Sequence, residues 1–231
     1  SGGVVQRSSI SISNSTTYTI SGYFKLTSGT LTSGSNQIKG LDGLSGGSVS
    51  LNTLTSEWQR LSFSVTSSST SGRFQVRCDN SATIQVYGLQ LEEGSYKTSV
   101  IPTYGVSQTR AQDECVGAGD ASTFNDSEGV LYLEIEALAD DSTNRWISIS
   151  QDSDINANQL NFRYAAASNL IQIVSRANGL GQDVVLQHTL SDETSFNKIA
   201  VKYKLNDWAL WVNGVEVDTE TSSTAFTANS L

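Results

Sequence analysis

The chain is poor in several residue types. Its 231 residues hold one proline, Pro102, one histidine, His188, two cysteines and no methionine. Two cysteines, Cys78 and Cys115, cannot staple a small secreted scaffold, and neither has a CxxC partner suited to zinc. Two free thiols and a single bridge between the halves both remain open, because sequence alone does not place the two α-carbons. No apolar run is long enough to span a bilayer and no signal-peptide pattern occurs, so membrane insertion is not expected. Ser1-Gly2-Gly3 opens a chain without Met, which reads as a piece of something longer; the missing signal therefore says nothing about export. Basic residues are few, 14 Lys and Arg against 23 Asp and Glu, for a formal charge of −9. A nucleic-acid binder needs a basic face to release counterions, and no Lys/Arg cluster is present, so nucleic acid is not an expected partner. The acidity reads as solubility.

What is abundant is Ser, Thr, Asn and Gly around short alternating runs of Val, Ile, Leu, Phe and Tyr, the pattern of antiparallel sheet. Tyr18–Leu26 alternates. Leu61, Phe63 and Val65 share a face. Phe74, Val76 and Cys78 share a face of the next strand, with Arg73, Gln75 and Arg77 opposite. Ile84 and Val86 follow, with Gln85 and Tyr87 opposite and Gly88 or a bulge next. Residues 27–50 read as loop with one or two edge strands. From Tyr87 to Arg110 the chain reads as a strand, a tight acidic turn and an extended exit that joins two halves of different pattern.

In the second half, Leu131, Leu133, Ile135 and Ala137 form an apolar face, with Tyr132, Glu134 and Glu136 opposite. Ile147–Ser150 and Leu160–Tyr164 flank a polar turn, and Leu170–Val174 is a further strand. Ile199, Val201, Tyr203 and Leu205 alternate with Lys198, Lys202 and Lys204. Asn206-Asp207 turns into Trp208–Val212, and Asn213-Gly214 predicts a type I′ hairpin, since both residues tolerate positive φ. One short helical turn is expected near Asp192–Asn197. The fold class is all-β, with two antiparallel β-sandwich (jelly-roll) domains in tandem, residues 1–108 and 109–231. Each is long enough to bury its own core.

Catalytic signals are thin. Glu134 and Glu136 share a strand face about 7 Å apart and point in parallel, and nothing splits their pKa values into an acid and a base. They read as an exposed sheet face. His188 has no metal partner and no nucleophile elbow. Gly43–Gly47 lacks the Lys-Ser/Thr of a phosphate loop. Asp152-Ser153-Asp154-Ile155-Asn156-Ala157-Asn158 opens like a calcium loop, but Ala157 stands where Gly is required and Arg163 where a bidentate Glu is required. No cofactor is expected beyond a loose structural calcium site. No catalytic residue is assigned.

Aromatics are the remaining signal, because a sugar's C–H face packs on indole or phenol rings while Asn, Gln and Arg fix its hydroxyls. The four tryptophans are Trp58, Trp146, Trp208 and Trp211. Trp208 and Trp211 fall on opposite faces of one strand, so at most one is core. The first-half candidates for ligand binding are Arg73, Arg77, Gln85 and Tyr87, expected on one wet face. The second-half candidates are Trp146, Asn161, Arg163 and Trp211.

Residues 4–110 resemble the carbohydrate-binding-module jelly rolls embedded in phage tail proteins. The matching pieces are SNSTTYTISGYFK (Ser13–Lys25), EWQRLSFSVT (Glu57–Thr66) and IQVYGLQLEEGSYKTSVIPT (Ile84–Thr103), followed by TRAQD (Thr109–Asp113). The second half resembles the laminin-G or concanavalin-like jelly roll that often follows, in FNDSEGVLYLEIEAL (Phe124–Leu138), WISIS (Trp146–Ser150) and YKLNDWALWVNGVEV (Tyr203–Val217). The resemblance implies a non-enzymatic adhesin module of a virion tail. Its implied partners are cell-surface polysaccharide or glycan, other virion proteins and further copies of the chain, a trimer being the usual arrangement. The alternatives are an accessory binding region of a secreted polysaccharide-degrading enzyme, or an architectural spacer. Solvent-facing aromatics would favour binding and buried ones architecture. Relative to the resembling modules the chain starts late and stops early. Its open sheet edges are therefore expected to be covered by further chain, by the other half or by another copy.

Overall fold

The computed structural model describes residues 3–79, 81–111, 113–117, 119–120, 122–150 and 156–226, with the side chain of Ser8 excepted. Within them every regular element is a strand, and every strand pair is antiparallel. The chain divides into two compact units, Ser1–Ala111 and Gln112–Leu231.

The first unit contains β1 (Gly3–Ser11), β2 (Thr17–Gly29), β3 (Gln37–Asp42), β4 (Ser48–Ser50), β5 (Gln59–Thr66), β6 (Ser71–Cys78) and β7 (Ala82–Glu93). Four of them form a sheet in the order β1-β6-β3-β4, and three form a second in the order β5-β2-β7. Alternation closes the two on each other. Phe74, Val76 and Ile38 from the first sheet share one core with Ile20 and Phe24 from the second. Ile20, Phe24 and Ile38 have no exposed surface, and each such side chain contributes roughly 1.5–3 kcal/mol by leaving water.

Residues 27–50 are more ordered than a loop with edge strands. β2 runs on to Gly29, and β3 lies inside its sheet between β6 and β4. The Ser/Gly-rich composition hid this, because Ile38 is the only strongly apolar residue β3 sends fully into the core. The bulge at Gly88 is present. Ser21 faces Gln90 and Tyr23 faces Tyr87, so β7 spends Gly88 and Leu89 against the single residue Gly22. Gly88 adopts φ 60°, a left-handed conformation that glycine tolerates. The extra residue resets the alternation, so Leu89 and Leu91 join the core side after Ile84 and Val86.

The second unit contains β8 (Glu128–Ile135), β9 (Arg145–Ser150), β10 (Gln159–Tyr164), β11 (Leu170–Arg176), β12 (Val185–Thr189), β13 (Asn197–Lys204), β14 (Trp208–Val212) and β15 (Val215–Glu220). Its sheets are β12-β11-β10-β9 and β15-β14-β13-β8. Leu160, Phe162, Ile171 and Ile173 meet Ile199, Val201, Trp208 and Leu210 in one core, with Leu131, Leu133 and Ile135 packed against it. Asn213 and Gly214 take φ 50° and 85° and turn β14 into β15, as the hairpin signal predicts.

Two local expectations fail. Asp192–Asn197 forms turns, not helix. The Asp192 carboxylate accepts from the Thr194 amide and hydroxyl and from the Ser195 hydroxyl, and these local bonds replace helical ones. Leu205 does not extend the apolar face of β13. The strand ends at Lys204, Asn206 turns at φ 57°, and Leu205 is left exposed. Both cysteines are free, Cys78 buried and Cys115 exposed.

Glu193, on the link between β12 and β13, is only 2% exposed, and its Oε2 has no hydrogen-bond partner. Burial raises its pKa, Asp140 adds to the rise, and Arg145 opposes it. A carboxyl whose folded pKa exceeds its unfolded value gives stability below the unfolded value, lost as pH rises through the folded value. Stability is therefore expected to fall through this group as pH rises above 4.5. Glu193→Gln should raise the melting temperature at about pH 7.5 more than at about pH 4. An equal shift at both pH values in thermal denaturation would contradict this.

Candidate functional site

The outer face of β5-β2-β7 is the most developed surface of the first unit. Alternation sends Thr19, Ser21, Tyr23 and Lys25 of β2 outward, beside Arg60, Ser62 and Ser64 of β5 and Gln85, Tyr87 and Gln90 of β7. One part of this face is covered. After the turn at Glu93-Gly94 the chain crosses back over the sheet as a strap, residues 94–101. Thr19 Oγ1 donates to Gly94 O at 2.8 Å, and Ser64 Oγ to Ser95 O at 2.8 Å. Gln90 Nε2 donates to Ser99 O at 3.3 Å, and Ile101 N to Gln90 Oε1 at 2.8 Å. A Cβ on Gly88 would stand 3.1 Å from Val100. Thr19 and Gln90 are consequently buried although they face outward, and Ser21 is buried beside Arg60. The expected extended exit is thus a lid over its own sheet.

The rest of the face is open and carries two cross-strand rows. In the first, Arg60, Tyr23 and Tyr87 are direct partners on β5, β2 and β7. The Tyr23 and Tyr87 rings are 6.2 Å apart, and the Arg60 guanidinium lies 5.3 Å from the Tyr23 ring centre. In the second, Lys25 pairs with Gln85, and its Nζ lies 5.2 Å from the ring of Trp58, the residue before β5. Tyr87 is 64% and Trp58 46% exposed. Flat rings beside fixed donors suit an oligomer of sugars, whose apolar ring faces stack while its hydroxyls hydrogen-bond.

The first-half candidates do not share one face. Gln85 and Tyr87 belong to the rows just described. Arg73 and Arg77 lie on the outside of the opposite sheet, Arg73 held by Asp42 at 2.8 Å. β6 and β7 are consecutive in sequence but enter different sheets, and alternation alone cannot reveal that. Tyr23, Lys25 and Arg60 are not among the sequence candidates, and Trp58 figures there only as one of four tryptophans. Their signal was the outward register of β2 against β5.

In the second unit, Trp146, Arg163 and Asn161 come together on β12-β11-β10-β9. Trp146, Arg163, Gln172 and Gln187 form one cross-strand row. Arg163 Nε donates to Gln172 Oε1 at 2.9 Å, and Gln172 Nε2 to Gln187 Oε1 at 3.0 Å. Asn161 is buried and donates to Ser148 Oγ at 3.0 Å. Trp146 is the one strongly exposed ring of the row. Trp211 stands apart on the other sheet, opposite Ala200, which in turn faces Tyr132. Its strand neighbour Trp208 is core, with ring centres 6.0 and 6.1 Å from Tyr203 and Phe226.

Glu134 points outward and accepts a 2.7 Å hydrogen bond from the Tyr132 hydroxyl, which raises the tyrosine pKa. Of the calcium-loop residues, Asp152, Ser153, Asp154 and Ile155 lie outside the described residues. Asn158 Oδ1 accepts from the Asn178 amide, and Asn156 Oδ1 from Arg176. Among the described residues no group of three or more His, Cys, Asp or Glu is placed to hold a metal.

No protein-family model and no curated protein matches the chain. Among solved structures it is similar to the tripod (BppUct-A-L) from the baseplate of bacteriophage Tuc2009. The identity is 10%, over 93% of this chain and 70% of that one, with a TM-score of 0.30. At that score the likeness decides neither fold nor function.

Gln90 anchors the strap with both ends of its amide. Gln90→Ala is expected to destabilise the first unit by about 1–3 kcal/mol and to speed amide exchange in residues 94–101. Unchanged exchange there would show that the strap is held by other contacts.

Proposed function

We propose that this chain is a non-catalytic structural and adhesive segment of a phage tail fibre or tail-associated virion protein. Its open β5-β2-β7 face would be the surface offered to host-cell glycan. The observation that carries the glycan reading is the pair of rows on that face, Arg60-Tyr23-Tyr87 and Trp58-Lys25-Gln85, which place two exposed rings beside two cations. The virion setting rests on the sequence resemblance of both halves to tail-protein modules. Other virion proteins and further copies of the chain are its implied partners. The Trp146-Arg163 row of the second unit is a secondary candidate, with one exposed ring instead of two.

An accessory region of a secreted polysaccharide-degrading enzyme would use the same face in the same way, and the sugars bound would distinguish the two settings. The architectural reading is favoured by one observation, the burial of Trp208 and Tyr203 in the core of the second unit.

The test is a glycan array with the purified chain, alongside light scattering for its mass. Binding to a related set of sugars is expected. Tyr87→Ala and Trp58→Ala should each weaken it about two- to tenfold, since a lost stacking contact is worth about 0.5–1.5 kcal/mol. Both exposed sites should tolerate the change, with melting temperatures within about 2 °C of the parent. A folded protein that binds no glycan would leave the architectural reading.

A further inference from the structure

We propose that the ligand of the β5-β2-β7 face is an anionic glycan, a polymer carrying carboxylate or phosphate groups. This rests on the glycan reading above and narrows it. The excess negative charge is unevenly distributed. Residues 1–111 carry eight Lys and Arg against five Asp and Glu, whereas residues 112–231 carry six against eighteen. The unit that bears the aromatic rows is therefore cationic within an acidic chain.

Only some cations of the chain are neutralised by a carboxylate in a close ion pair, and the two on the rows are not among them. Arg73, Arg145, Lys202 and Lys204 pair with Asp42, Asp141, Asp207 and Glu128. Arg60 and Lys25 pair with no carboxylate among the described residues, and lie instead over the rings of Tyr23 and Trp58. Arg60 Nη2 donates to Ser21 Oγ at 3.2 Å, while its Nε is buried without an acceptor. Glu92, on the same outer face, is taken up by the Thr98 amide and hydroxyl of the strap. A cation over a ring keeps its net charge, and a guanidinium fork matches a carboxylate or phosphate. Adjacent rows lie about 7 Å apart along a strand. An acidic substituent can therefore meet Arg60 or Lys25 while a sugar ring stacks on Tyr87 or Trp58. An uncharged glycan would leave both cations without a counter-charge.

The experiment compares binding of the full chain to polygalacturonate, its carboxyl-reduced neutral form, poly(glycerol phosphate) and dextran, by biolayer interferometry. Salt is varied from about 0.05 to about 0.5 M. At least one acidic polymer should bind about tenfold tighter than its neutral reference at low salt, and the preference should shrink several-fold at high salt. The carboxylate and phosphate arms identify the group recognised. Arg60→Gln should abolish the preference while keeping the weaker neutral binding that Tyr87→Ala weakens further. Lys198→Gln, in the acidic unit, should behave as the parent. Equal binding of acidic and neutral polymers, unmoved by salt or by Arg60→Gln, overturns the anionic proposal and leaves the glycan reading intact. No binding to any polymer by the folded parent overturns both. With a single-stranded oligonucleotide as a fifth probe, tighter binding to it than to every polymer overturns the proposal in favour of nucleic acid. Self-association in light scattering that Arg60→Gln and high salt both abolish overturns it in favour of the acidic unit of a second copy.

Discussion

Ile20 and Phe24 are fully buried, and both lie on β2, the middle strand of its sheet. Their burial fixes which side of β2 faces inward, and therefore that Tyr23 and Lys25 face out. A slip of one residue would put Tyr23 into the core and Phe24 into water. The pairing of β2 with β5 and β7 then sets Arg60 and Tyr87 on either side of Tyr23. The bulge at Gly88 lets β7 keep Val86 and Leu89 both toward the core while Tyr87 and Gln90 both face out. Core packing and the surface proposed to bind are thus two sides of one register.

The strap decides how much of that surface is available. It covers Thr19 and Gln90, whose hydrogen bonds it satisfies, and leaves the rings uncovered. Small hydroxyl side chains allow close approach of the strap backbone, and Gly88 allows the approach of Val100. The bulkier Tyr23, Lys25 and Arg60 lie further along the same strands. The outer face is thus divided into a self-covered part, where side-chain hydrogen bonds hold the strap, and an exposed part that carries the rings.

Much of the fold was legible because strand alternation is a local signal. The apolar faces Phe74-Val76-Cys78, Leu131-Leu133-Ile135 and Ile199-Val201-Tyr203 point as their spacing predicts, and Asn213-Gly214 turns where it should. What the sequence could not supply is which strands become neighbours. Arg77 and Tyr87 look like companions on successive strands, yet β6 and β7 belong to different sheets. β3 was obscured for a related reason. Its Gln, Lys and Gly positions resemble loop composition, and only pairing with β6 and β4 makes it a strand. The helix expected near Asp192 failed because one carboxylate gathers the local donors.

The four indole N–H signals in a nitrogen–proton spectrum of the whole chain give the most direct test, since each tryptophan sits in a different environment. Titration with a bound oligosaccharide is predicted to shift Trp58 while leaving Trp146, Trp208 and Trp211 in place. Movement of Trp146 or Trp211 with Trp58 unmoved would contradict the account and transfer the binding surface to the second unit.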